Sequence, residues 1–166
     1  MRAYRGFAFV ATLAALACGG ADDDNGNPTG PPGGGATNGT FTAQISGASW
    51  SATGTITVSR QQPNFIGIAG TGFAGGTAYA LVLGVGNAPG PGTHSLDVYN
   101  GGDGSSLTIG GQTTGWSTAF QGGGGTVTIT TLTSNRVTGT FSGTLLPSSG
   151  SGGNLVVTNG TFDVTF

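Results

Sequence analysis

Few stretches of this 166-residue chain run far before meeting one of its 36 glycines, and the chain contains no Lys and no Glu. Glycine costs a helix interior about 1 kcal/mol relative to Ala, and two of the strongest helix formers are missing, so an all-α fold is excluded. What remains is a chain whose apolar residues alternate with Thr and Ser between glycine punctuation, the period-two signature of half-buried strands. With 36% hydrophobic residues and a formal charge of only -2, it is not a chain kept disordered by self-repulsion. Four Arg, at 2, 5, 60 and 136, cannot neutralise a row of phosphates, which argues against nucleic acid as a partner. The single Cys18 forms neither an internal disulfide nor a Cys-based zinc site.

The first 17 residues, MRAYRGFAFVATLAALA, place Arg2 and Arg5 before an uncharged run, the layout of a secretory signal peptide. Twelve apolar residues rise about 18 Å as a helix, short of the roughly 30 Å hydrocarbon core, so cleavage is expected rather than a permanent span. The run ends in Ala15-Leu16-Ala17-Cys18-Gly19, which resembles the lipobox of bacterial lipoproteins. That resemblance implies lipidation of Cys18, and Gly19 in place of Asp implies the outer membrane, with the domain in the periplasm or at the cell surface. The plainer reading is an ordinary small-x-small cleavage site at Ala15-Leu-Ala17. Residues 18–38 then form a Gly/Pro/Asp tether without large apolar side chains, in which Asp22 to Asp24 are solvated charge.

From Gly39 to Phe166 the sequence has room for one core. Strands are expected around Phe41–Ile45, Trp50–Arg60, Pro63–Ile68, Ala78–Val85, Leu96–Tyr99, Leu107–Ile109, Trp116–Phe120, Val127–Leu132, Val137–Leu145 and Leu155–Phe166, with a hairpin-like break at Gly122–Gly125 and a bulge near Gly160. About nine or ten short strands joined by tight turns leave no room for crossover helices, which predicts an antiparallel β-sandwich or a small closed β-barrel.

Several stretches in this domain, FTAQISGASWSA from Phe41, GTHSL from Gly92, GTVTITTLTSNRVTGTFSGTL from Gly125 and VTNGTFDVTF from Val157, together resemble a family of bacterial lipoproteins carrying a small all-β domain of unknown function. The likeness implies the same fold and lipid anchor, and brings no catalytic residues.

Motifs for chemistry are sparse. Gly70-x-Gly72-x-x-Gly75 has dinucleotide-loop spacing but is followed by a strand pattern where a phosphate-binding helix is needed, so it reads as a hairpin turn. Gly115-Trp-Ser117 faintly resembles a nucleophile elbow, again without its helix. Nothing in the sequence brings two of Asp97, Asp103 and Asp163 together as a carboxylate pair. No cofactor and no metal is expected: His94, Asp97 and Asp103 have the chemistry of metal ligands, yet a polar glycine-rich turn with an exposed His is the simpler account. Trp50 and Trp116 are expected in the core. The candidate ligand-binding residues are His94, Asp97, Tyr99 and Asp103, on polar loops that a rigid strand frame would display. Without an acid-base set, the expected function is that of a non-enzymatic, lipid-anchored binding or interaction module for a protein or glycan. The alternative is a carrier holding a small apolar ligand within the sheets, suggested by apolar residues at successive positions from Tyr79 to Val85.

Overall fold

The structure, a computed structural model, describes residues 36–37, 39–61, 64–98, 102–148 and 152–166, with the backbone alone at 36–37. Every regular element among them is a strand: β1 (Ala36–Thr37), β2 (Gly39–Ile45), β3 (Ala48–Ala52), β4 (Ile56–Gln61), β5 (Phe65–Ala74), β6 (Thr77–Val85), β7 (Gly92–Ser95), β8 (Ser106–Gly110), β9 (Gly115–Ser117), β10 (Gly124–Leu132), β11 (Arg136–Pro147) and β12 (Leu155–Thr165). All pairings between these strands are antiparallel. Eight strands close a ring in the order β5-β3-β2-β12-β11-β9-β8-β6 and back to β5. Of the two architectures expected, the small closed barrel is the one present, and closure removes most of the edges that an open sheet would expose.

Two long strands make the closure possible by changing partner along one edge. β5 pairs β4 through Phe65 to Ala69 and then β3 at Gly72 and Phe73. β11 pairs β10 through Val137 to Thr144 and then β9 at Leu146 and Pro147. The displaced strands extend outside the ring, β1 on β4 and β7 on β10. Register slips between Thr158 and Thr161 mark the bulge expected near Gly160, with Asn159 at φ 51°.

Local chemistry fixes the turns. Ser46 and Gly47 take φ 47° and 85°, and Gly75 and Gly76 take 55° and 81°. Two positive φ values in a two-residue loop are the turn that matches strand twist, so β2–β3 and β5–β6 are tight hairpins. The Gly70-x-Gly72-x-x-Gly75 motif lies along β5 and its turn, as the hairpin reading required.

Alternation delivers one residue in two to the interior. Phe41, Trp50, Ile68, Leu81, Leu83, Leu107, Ile109, Val127, Leu145 and Val164 are all nearly or fully enclosed. Phe41 packs edge-on against Trp50 with centroids 5.4 Å apart, and lies 5.5 Å from Phe141. Trp116 is only partly buried, and its Nε1 donates to the Gly153 carbonyl at 3.0 Å.

Three expectations about elements are corrected. The single strand foreseen over Trp50–Arg60 is two, because Thr53–Thr55 breaks it and both parts lie on the same edge of β5. The strand foreseen at Leu96–Tyr99 occurs earlier, at Gly92–Ser95, where Thr93 and His94 pair with Thr128 and Val127. The Gly122–Gly125 break is not a hairpin: β9 pairs β8 and β11, whereas β10 pairs β11 and β7.

Candidate functional site

Segment 86–105 leaves the end of β6, adds β7 to the edge of β10, and returns to begin β8. It thereby places His94 on the strand beside β10 and Asp103 just before β8. Its backbone is anchored by Ala88 N–H donating to Asn64 O at 2.8 Å and Leu96 N–H to Gly125 O at 2.9 Å, and within the segment Gly102 N–H donates to Asp97 O at 3.0 Å.

His94 is at the centre of β7 and faces inward, 9% exposed. This overturns the expectation of an exposed His in a glycine-rich turn, and the reason is strand parity. His94 is paired with the fully buried Val127, so the alternation that buries one buries the other. Its Nδ1 is 2.5 Å from Asp103 Oδ2. The other oxygen, Oδ1, accepts from Ser105 Oγ at 2.5 Å and from Ser105 N–H at 3.2 Å. Ser105 Oγ in turn accepts from Gly86 N–H at 3.0 Å, and a side chain at Gly86 would collide with the Asp103 carbonyl.

The network assigns the protons. An ionised carboxylate only accepts, so Nδ1 is the donor of this contact. Nε2 is buried without a partner. Partial burial pushes the Asp103 carboxyl up, but the hydrogen bonds from Ser105 and His94 outweigh it and hold the group below its ordinary value. In this arrangement the Ser105 hydroxyl is on the Asp103 side and Nε2 is enclosed. The network ties β7 to the start of β8 and to the end of β6.

Asp97 is separate from this pair. A Cβ on Gly124 would stand 3.5 Å from Asp97 Cβ and 3.9 Å from its Oδ2, so the carboxylate lies over the side-chain-free start of β10. Gly124 also belongs to the lining of an open depression of about 460 Å³, formed by residues 122–125 with Ser142, Thr144, Val156 and Thr158. Among the described residues, no three His, Cys, Asp or Glu form a group able to hold a metal ion. Tyr99 and Cys18 lie outside the described residues. Asp163 is exposed and bonded to Arg136 through two contacts of 2.9 and 2.7 Å, and this pairing lowers the Asp163 pKa. Ser117 ends β9 with its hydroxyl 3.2 Å from Thr108 Oγ and accepting from Ala119 N–H at 3.1 Å, with no helix following.

The sequence reading missed Ser105 and the depression. Ser105 had a signal, since a Ser two residues after an Asp can cap its carboxylate locally. The depression had none, because it is assembled from β10, β11 and β12 across a partner change that no local pattern encodes. No known family model, curated protein or solved structure matches the chain.

Proposed function

We propose that this chain is a lipid-anchored protein of the bacterial cell envelope, outer membrane by its Gly19, whose barrel binds a partner and does no chemistry on it. One observation carries the binding role: His94, Asp103 and Ser105 are bonded to one another, while the Asp97 carboxylate lies beside Gly124, which lines an open groove. A rigid strand frame presenting a positioned loop residue is how recognition sites are commonly built. The anchor is supported by the lipobox-like Ala15-Leu-Ala17-Cys18 and the tether after it. Several acyl chains, at about 0.8 kcal/mol per buried CH₂, hold a protein stably on a bilayer.

The test is metabolic labelling with a palmitate analogue in a bacterial host, followed by membrane fractionation. Wild type should be labelled and sediment with membranes, and Cys18→Ser should do neither. Equal labelling of both would remove the anchor. Native mass spectrometry of the Cys18→Ser protein addresses the binding role, because a stoichiometric co-purified lipid would favour the apolar carrier instead.

A further inference from the structure

The outer face of the sheet β7-β10-β11-β12-β2-β3 is surfaced with hydroxyls in cross-strand register. Thr93 is paired with Thr128, Thr128 with Thr140, Thr140 with Thr161, Thr161 with Thr42, and Thr42 with Ser51, one row across six strands. A shorter row, Ser95, Thr126 and Ser142, runs beside it into the groove next to Asp97. Neighbouring hydroxyls are fixed by mutual hydrogen bonds, 2.8 Å for Thr42 with Thr161 and 3.0 Å for Thr93 with Thr128. Each hydroxyl has one donor and two lone pairs, so a bonded pair still offers one O–H and three lone pairs outward.

Charge on the outward positions of these strands is confined to Arg136 and Asp163, which neutralise each other. A phosphate or other polyanion has no cation to meet here, and a polycation meets only Asp97 at the groove. The groove combines this polar surface with the 46% exposed Val156 and with the side-chain-free Gly124. A ligand suited to it is neutral, dense in hydroxyls along its edges and apolar on its ring faces. We propose that this face binds a neutral glycan chain, with one sugar seated in the groove against Gly124 and Val156 and hydrogen-bonded by Asp97. The proposal rests on the binding role given above and names its partner class. His94 and Asp103 are then positioning residues, holding the segment that carries Asp97.

Gly124 supplies the discriminating variant. Its φ is not in the left-handed region, and an added Cβ would make only ordinary contacts, so Gly124→Leu fills the groove without straining the backbone. Gly90, where a Cβ meets nothing within 4 Å, gives the control Gly90→Leu. The isotope-labelled mature chain would be titrated with cellulose-, starch- and chitin-derived neutral oligosaccharides to millimolar levels, with polyphosphate and an acidic polysaccharide as contrasts. At least one neutral series should shift the amides of residues 122–125, 142–144 and 156–158, with affinity weakened roughly tenfold or more by Gly124→Leu and by Asp97→Asn and unchanged by Gly90→Leu. No shift with any neutral glycan, shifts mapping elsewhere, or stronger shifts with the anions would overturn the glycan. Should Gly124→Leu lose the dispersed spectrum of a folded chain, Asp97→Asn alone decides. A purified envelope protein that occupies the groove while every glycan fails would overturn the glycan yet leave the binding role. If neither binds, both fall.

Discussion

Replacing Gly160 with Ala should destabilise this barrel, against the usual expectation for a strand. Glycine in a strand interior ordinarily costs about 0.5–1 kcal/mol relative to Ala, so the substitution would normally help. Here β11 and β12 exchange aromatic rings over glycines: Phe141 is paired with Gly160, and Gly139 with Phe162. A Cβ on Gly160 would approach Phe141 Cε1, Cζ and O at 2.6 Å each, and one on Gly139 would collide with the Phe162 ring and the Thr128 carbonyl. Neither ring has anywhere to go, since Phe141 and Phe162 are 3% and 2% exposed and pack with centroids 6.4 Å apart. Overpacking a closed core typically costs about 1–3 kcal/mol, and contact with a backbone oxygen, which cannot rotate away, places this case at the upper end. After the propensity gain, a net loss of about 2 kcal/mol is expected, or roughly 8 °C in Tm for a domain of this size. Urea unfolding followed by tryptophan fluorescence reads it directly. Phe141→Leu in the Gly160→Ala background should recover part of the loss, because it relieves the ring contacts but not the carbonyl contact. A Gly160→Ala protein as stable as wild type, or more so, would refute the interlocked arrangement.

Two further predictions concern buried polar groups. Asp103→Asn should cost about 2 kcal/mol near neutral pH, the scale of hydrogen bonds to a charged acceptor, and should flatten the acid limb of the stability curve. The folded carboxyl titrates below its ordinary value of 3.8, so its contribution is complete above that pH and is lost as pH falls through the lower folded value. Urea midpoints taken from neutral pH down to below pH 3.8 check this, and an unchanged acid limb in the variant would contradict it. Trp50→Phe should be nearly neutral, within about 1 kcal/mol, because Nε1 is a buried donor without a partner and its removal offsets part of the lost ring contact. A loss approaching the ~3–5 kcal/mol of a Trp→Ala change would show that the indole N–H is satisfied.

The architecture was legible wherever alternation and turn chemistry act locally. Tyr79 to Val85 and Val137 to Leu145 spell their strands residue by residue, and Gly75-Gly76 spells its turn. Closure was not legible, because it depends on β5 and β11 changing partner midway, and a register is set by contacts between distant strands. Strand parity explains the error at His94. Composition around it, Gly-Pro-Gly before and Gly-Gly-Asp-Gly after, reads as loop, and only pairing with β10 turns Thr93-His94-Ser95 into a strand with His94 inside. His94 and Asp103, neighbours in sequence, meet in the fold, whereas Asp97 lies apart from them, since parity sends His94 inward and Asp97 out toward Gly124.

Segment 86–105 holds two of the few charged side chains of the barrel domain. The domain from Gly39 onward has three Asp and two Arg, and the barrel interior uses none of them. Arg136 and Asp163 cancel on the outer face, and Arg60 lies over the Phe166 ring at 5.4 Å while donating to the Thr133 carbonyl at 3.1 Å. The remaining two carboxylates are both in one segment. Asp103 is half-enclosed and engaged by His94 and Ser105, a geometry that gives the segment a fixed course at the expense of an unpartnered Nε2. Buried polar groups without partners are costly, so the arrangement persists only where the fixed course matters more than the loss. What that course fixes is the position of Asp97 beside a groove floored by glycine and walled by hydroxyls. If positioning is the role of the pair, His94→Leu, which keeps the site apolar and removes the orphan nitrogen, should leave the barrel folded while shifting the amides around Gly124. Unchanged amides there would separate the latch from the groove and leave His94 a core residue alone.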